Sequence, residues 1–292
     1  SKNKNYIIYA TFNKKNKFKL KNIKWIKGDL RNDTFSKRAT KNIDIIIQAA
    51  ATTTGSKDVV MQPFVHVTDN AVMNACLFRN AYINKVKHVI FFSCTTMYKS
   101  SKKPIKENNF DPLKDIDPKY FGVATTKVYN EDMCDFFSRL GNTKYTAIRH
   151  SNIYGPYDKY DLERSHVFGA TITKVMTAKK EVIVWGKGTE ERDLLHIDDL
   201  VNFVKLVIQK QKKKFQLFNC GVGYSISINN LVKKIIKISK KKLKIKYDLS
   251  KPTIPTYLSV NCDLAKKNLG WKPKIKLEEG IKSTIGWWKE NI

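Results

Sequence analysis

Short apolar runs alternate along the chain with longer stretches in which apolar residues recur every three or four positions. The runs at 6–12 (YIIYATF), 23–29 (IKWIKGD), 43–50 (IDIIIQAA), 88–94 (HVIFFSC) and 145–155 (YTAIRHSNIYG) predict strands. Several are apolar at successive positions, as strands are when a parallel sheet is covered on both faces. Residues 65–83 and 123–139 predict helices, with Val128, Met133, Phe136 and Phe137 near helical spacing. This order of strand and helix predicts an α/β fold, a doubly wound parallel sheet with right-handed crossovers.

Past residue 156 the pattern is mixed. A helix is expected at 166–178, strands at 182–186 and 193–197, a helix from Asp198, a strand at 215–221, a helix near 229–239 and two short closing helices. The expected division is a Rossmann-like nucleotide-binding domain over 1–160 and a smaller α/β substrate lobe over 161–292, with part of 193–225 returning to the first sheet. Ligands in such sheets bind beyond the carboxyl ends of the strands. The strand–glycine-turn–helix unit that opens a dinucleotide-binding domain does not occur near the N-terminus, which reads SKNKNYIIYATF. The expectation is a fragment lacking about 20 residues of first strand, turn and helix.

Charge changes the picture least where it is loudest. The net charge is +29, but only seven of the 55 basic residues are arginine, and aromatics do not alternate with the lysine clusters. Arginine forks and stacking platforms are what nucleic-acid readers use, so the lysines are read as solvated surface that also draws in small anions. The five cysteines are scattered without a CxxC pair, no metal site is indicated, and no run is long and apolar enough to span a membrane. A reducing cytoplasm fits this usage.

Several segments, in order, carry a resemblance: IIIQAAA (45–51), HVTDNAVMNACLFRNA (66–81), VIFFSCTTMY (89–98), SNIYGP (151–156), SHV (165–167), VWGKGTEERDLLHIDDL (184–200) and LGWKPKIKLEEGI (269–281). Together they resemble the extended short-chain dehydrogenase/reductases, the NAD-dependent epimerase/dehydratase family, and within it the GDP-L-fucose synthase branch. The resemblance implies an enzyme acting on a nucleotide-diphosphate sugar with NADP(H) or NAD(H), as a reductase/epimerase or a dehydratase, and a homodimer paired through the helices near 65–83 and 123–139. It assigns Lys127 to the cofactor ribose, Asn70 and the Ala49–Ala50 turn to the cofactor strand, Asp29 to the adenine side, His166 to an epimerisation acid, and Lys174, Trp185 and Arg192 to the nucleotide sugar. Fixed cations suit a diphosphate and an aromatic face suits a base or sugar. The plainer readings stay open: a core aromatic for Trp185, a surface charge for Arg192, a structural histidine for His166.

Two positions depart from the pattern. Tyr-x-x-x-Lys places both groups on one helical face, about 6 Å apart along the axis, yet Val123 stands four residues before Lys127. Tyr120 is the nearest candidate proton donor, provided that 119–123 is not yet helical and Gly122 lets the chain bend back. The resemblance puts Cys94 at the family's serine/threonine position and Thr96 where its epimerisation cysteine stands. Cys94 is therefore a candidate base and Thr95 a candidate hydroxyl contact, with a small buried core residue as the alternative for Cys94. The lysines of NKKNK (13–17) suit a 2′-phosphate and favour NADP(H). A non-catalytic nucleotide-sugar or RNA-binding protein on the same fold is the competing reading.

Overall fold

The computed structural model describes residues 6–14, 20–52, 63–162, 165–251, 253 and 256–292. Four parallel strands, β3 (Ile45–Gln48), β4 (His88–Phe92), β5 (Lys144–His150) and β10 (Phe215–Cys220), form the central sheet in the order β10-β5-β4-β3. β1 (Ile8–Phe12) and β2 (Ile23–Lys27) form a separate parallel pair.

Helices cover both faces of the central sheet, which is why its strands are apolar at successive positions. Val89 and Phe91 on β4, with Tyr145 and Ala147 on β5, pack under α2 (Pro63–Ile83) and α3 (Phe121–Leu140) through Leu77, Phe78, Met133 and Cys134. Ile90 and Ile148 point the other way, against Phe203 and Val207 of α5 (Ile197–Lys210) and Leu269 of α7 (Asp263–Leu269), with Trp271 just beyond it. A further core joins α4 (Val167–Thr177), β7 (Glu181–Trp185), α6 (Ile228–Ser239) and α8 (Leu277–Asn291). β12 (Lys244–Asp248) pairs in parallel with β7.

The structure corrects several boundaries. The single strand expected at 145–155 breaks at Ser151. Its backbone N–H bonds Cys220, whereas Asn152 N–H bonds Asp193. The chain then leaves the main sheet as β6 (Asn152–Tyr154), paired with β9 (Leu194–His196). The helix at α1 (Asp33–Thr40) was not expected from its polar sequence. Asn32 caps it, accepting from Phe35 N–H, and Phe35 and Ser36 are buried. The last closing helix runs 15 residues rather than a short turn. Between β8 (Glu191–Arg192) and β11 (Ile226–Ser227) runs a two-residue antiparallel pairing. Among the described residues no helix is long and apolar enough to cross a membrane.

Candidate active site

The carboxyl ends of β4 and β5 and the start of α3 bring most of the expected residues together. Lys127 lies one turn and a half into α3. Its Nζ donates to the Phe92 carbonyl at 2.8 Å and sits 4.9 Å from the Phe91 ring centroid. Burial lowers its pKa, and the Cys94 and Glu131 side chains oppose that shift. One acceptor for three ammonium hydrogens leaves two donors facing the cleft, as ribose hydroxyls require.

Tyr120 ends a short 3₁₀ turn (Pro118–Tyr120) and precedes the helix. Gly122 lies inside α3, so the 3₁₀ turn and not the glycine bends the chain. The ring packs against the cluster of Met97, Tyr98 and Val260. Burial raises the Tyr120 pKa; Arg192 pulls it back, while Asp117 and Cys94 push it up. Arg192 is thus a cation that acts on the hydroxyl. Cys94 Sγ lies 2.7 Å from Thr96 Oγ1 and is partly buried between these groups. Thr95 is buried, and its carbonyl accepts from Tyr98 N–H to close the turn.

Behind the strand ends, Glu131 and Arg149 form a buried ion pair, Nη2–Oε2 2.6 Å, and Ser93 Oγ donates to Glu131. Ser93 and Arg149 thus face α3. By the two-residue alternation of strands, His150 faces the opposite side from Arg149.

His150 was not singled out by the sequence, although a histidine ending a predicted buried strand stands where ligands bind such sheets. Its Nδ1 lies 2.8 Å from the Ser151 carbonyl, and its ring meets Phe92 edge-on at 5.9 Å. Burial depresses its pKa to about 4; the Ser151 hydrogen bond works against this, while Lys127 and His166 add to it. His166 is the N-cap of α4 and is likewise held below the usual range, chiefly by burial, with Asp158 opposing.

Arg192 is partly buried at the edge strand β8. Its Nη1 donates to the Glu191 carbonyl at 2.8 Å and to Thr256 Oγ1. Burial lowers its pKa. Among the described residues no protein group accepts from Nε or Nη2, which leaves one edge of the guanidinium uncommitted. Trp185 ends β7 with 44% of its surface exposed. Lys174 and Lys251 place ammonium groups 5.1 and 5.9 Å from its ring.

Some expected cofactor residues have other partners. Asp29 is held by Arg31, Nη2–Oδ2 2.7 Å, and Arg31 lowers its pKa. Arg31 also bridges to Asp69 on α2, so this carboxylate ties β2 to α2. Asn70 accepts from Thr52 N–H at 2.9 Å and donates to the Thr52 and His66 carbonyls, which fixes the segment after β3. Ala49 and Ala50 end that strand exposed. Of the NKKNK segment, residues 15–17 lie outside the described residues.

A parallel sheet covered by helices on both faces, with cations, hydroxyls and a thiol gathered at its carboxyl ends, is an arrangement of the Rossmann-like, nucleotide-binding class. The family model for the NAD dependent epimerase/dehydratase family matches residues 2–221, and the chain belongs to that family. It is an NAD(P)-dependent enzyme family, and the uncommitted donors of Lys127 fit the nicotinamide ribose. The chain is 27% identical to the GDP-L-fucose synthase of Escherichia coli (strain K12), over 87% of this chain and 82% of that one. It is 28% identical to the GDP-L-colitose synthase of Yersinia pseudotuberculosis, over 82% and 80%. The fold matches a UDP-glucose 4-epimerase from Thermotoga maritima with a TM-score of 0.80 at 24% identity, covering 93% of this chain and 86% of that one.

Proposed function

We propose that this chain acts on a nucleotide-diphosphate sugar, with a GDP-4-keto-6-deoxy sugar as the favoured substrate, in epimerase/reductase chemistry. The observation that supports the reading is a run of neighbouring groups at the carboxyl ends of the strands: the Cys94 side chain acts on both Lys127 and Tyr120, and Arg192 acts on Tyr120. A bound nicotinamide dinucleotide would supply the redox step. The chain's own residues do the rest. Lys127 holds the ribose, and the free edge of Arg192 meets diphosphate oxygens in a geometry that Thr256 fixes. Trp185, with Lys174 and Lys251 beside it, offers a face to the base. Tyr120 exchanges a proton with a sugar oxygen from the Arg192 side.

The test is incubation with NADPH and a panel of GDP-, UDP- and dTDP-4-keto sugars, followed at the nicotinamide absorbance band. Turnover of a GDP sugar is the expected result; neither turnover nor binding of any of them overturns the reading. Tyr120→Phe is expected to lower turnover about tenfold or more, and undiminished turnover removes Tyr120 from its role.

The same reading includes a homodimer. Phe64, Val72 and Ile83 on α2, and Phe121, Tyr129 and Phe136 on α3, are all exposed. They fall at helical spacing on two helices that pack side by side. Sedimentation is expected to show a dimer for the wild-type chain and a monomer for the double substitution Tyr129→Glu, Phe136→Glu. A dimer that survives both charges places the interface elsewhere.

A further inference from the structure

We propose that His150 is the base that removes the proton from the carbon next to the sugar ketone, a duty that Thr96 lacks the chemistry to perform. This rests on the keto-sugar reading above. A carbonyl oxygen only accepts, so the 2.8 Å contact between His150 Nδ1 and Ser151 O puts the ring proton on Nδ1. Nε2 is then a bare lone pair. Among the described residues no protein group donates to it, and the residue is only partly buried.

Its placement is fixed from three sides. The β5–β10 register pairs His150 with Cys220, the ring edge rests on Phe92, and Phe92 is the residue whose carbonyl holds Lys127. Strand alternation turns His150 away from the Glu131–Arg149 pair. Burial keeps the ring neutral, and Lys127, within electrostatic reach, adds to this.

The step balances without a redox partner. The α-carbon C–H bond breaks, its proton forms an N–H bond at Nε2, and the electron pair moves onto the ketone oxygen as an enolate. A solvent proton then adds to the carbon from the opposite face, and His150 gives its own proton up to solvent. Net transfer inverts the centre and consumes no hydride.

The experiment incubates the chain with GDP-4-keto-6-deoxymannose in D2O without NADPH. Deuterium entry at the carbons flanking the ketone is read by mass spectrometry, and GDP binding by calorimetry. The wild-type chain is expected to exchange. His150→Phe keeps the ring packing, and His150→Asn keeps a donor for Ser151 O. Both are expected to bind GDP within about threefold of wild type and to lose exchange by about 10²-fold or more. Full exchange in both variants, or loss in Cys94→Ser with retention in His150→Phe, overturns the inference and leaves the substrate reading intact; the second outcome gives the duty to the thiol. Binding without wild-type exchange also overturns it. No GDP binding by the wild-type chain overturns the substrate reading and this step with it.

Discussion

Lys127→Met is expected to lower turnover by about 10²- to 10⁴-fold while leaving the melting temperature at pH 7 unchanged or higher. The catalytic loss follows from what the ammonium holds. Among the described residues its one protein acceptor is the Phe92 carbonyl, which leaves two hydrogens for the ribose that the proposed function assigns to it. Methionine has similar length and no donor. The stability claim follows from the sign of the pKa shift. Burial depresses the folded-state pKa of Lys127 below its unfolded value. The resulting destabilisation is fully present below the folded pKa and disappears as pH rises through the window up to the unfolded value, about 10.4. At pH 7 methionine removes that cost, and the thioether still packs on the Phe91 ring. Parallel measurements of NADPH affinity, turnover and thermal unfolding check both halves. Wild-type turnover in the variant would separate Lys127 from the chemistry, and a large fall in melting temperature would show that the ammonium is part of the frame.

What the sequence made legible and what it hid follow one physical line. Strands buried on both faces and the helices above them announce themselves by apolar runs and period, and β3 to β5 with α2 and α3 were readable for that reason. α1 and β12 were not. In α1 the only large apolar side chain is Phe35, and the helix depends on an Asn32 cap and on docking against α2 through Asn80 and Asn84. β12, KIKYD, reads as the tail of a lysine-rich helix; only pairing with β7 makes it a strand. Residue type picked out Lys127, Cys94 and Arg192, which sit at strand ends and on the helix facing them. It could not show that Asp29 is paired, because a carboxylate's partner, here Arg31 two residues on, is set by local geometry. It missed His150, because which ring nitrogen is free is set by a backbone carbonyl bent into place where β5 ends.

Glu131→Ala is expected to destabilise the fold by about 3–5 kcal/mol, a large part of the roughly 5–15 kcal/mol that holds a domain together. Glu131 and Arg149 are each only 5% exposed, so the substitution strands a guanidinium away from water. Arg149 Nε is bonded to both carboxylate oxygens, at 3.0 and 3.1 Å, and Nη1 continues to Tyr98 Oη at 3.0 Å. Tyr98, its pKa pushed up to about 12 by burial, passes the chain on to Asn219 Oδ1 at 2.7 Å. Asn219 N–H in turn donates to Glu107 at 2.7 Å. One carboxylate on α3 therefore organises β4, β5, β10 and the loop after Tyr98. Removing the charge and its partner together is a different perturbation. In Glu131→Met, Arg149→Met no ion is left unpaired, and replacing a whole buried pair by apolar groups is often close to neutral. Urea titration of Glu131→Met, of Arg149→Met and of the double variant forms a closed cycle, with strong positive coupling as the expected result. Single substitutions that cost under 1 kcal/mol, or costs that simply add, would show that water reaches the pair. The consequence reaches the cleft, because Ser93, which donates to Glu131, is joined directly to Cys94. The Glu131→Gln variant keeps a hydrogen-bonding side chain of the same shape and should lose less stability than Glu131→Ala. Its remaining activity would then report how firmly the network sets the position of the thiol.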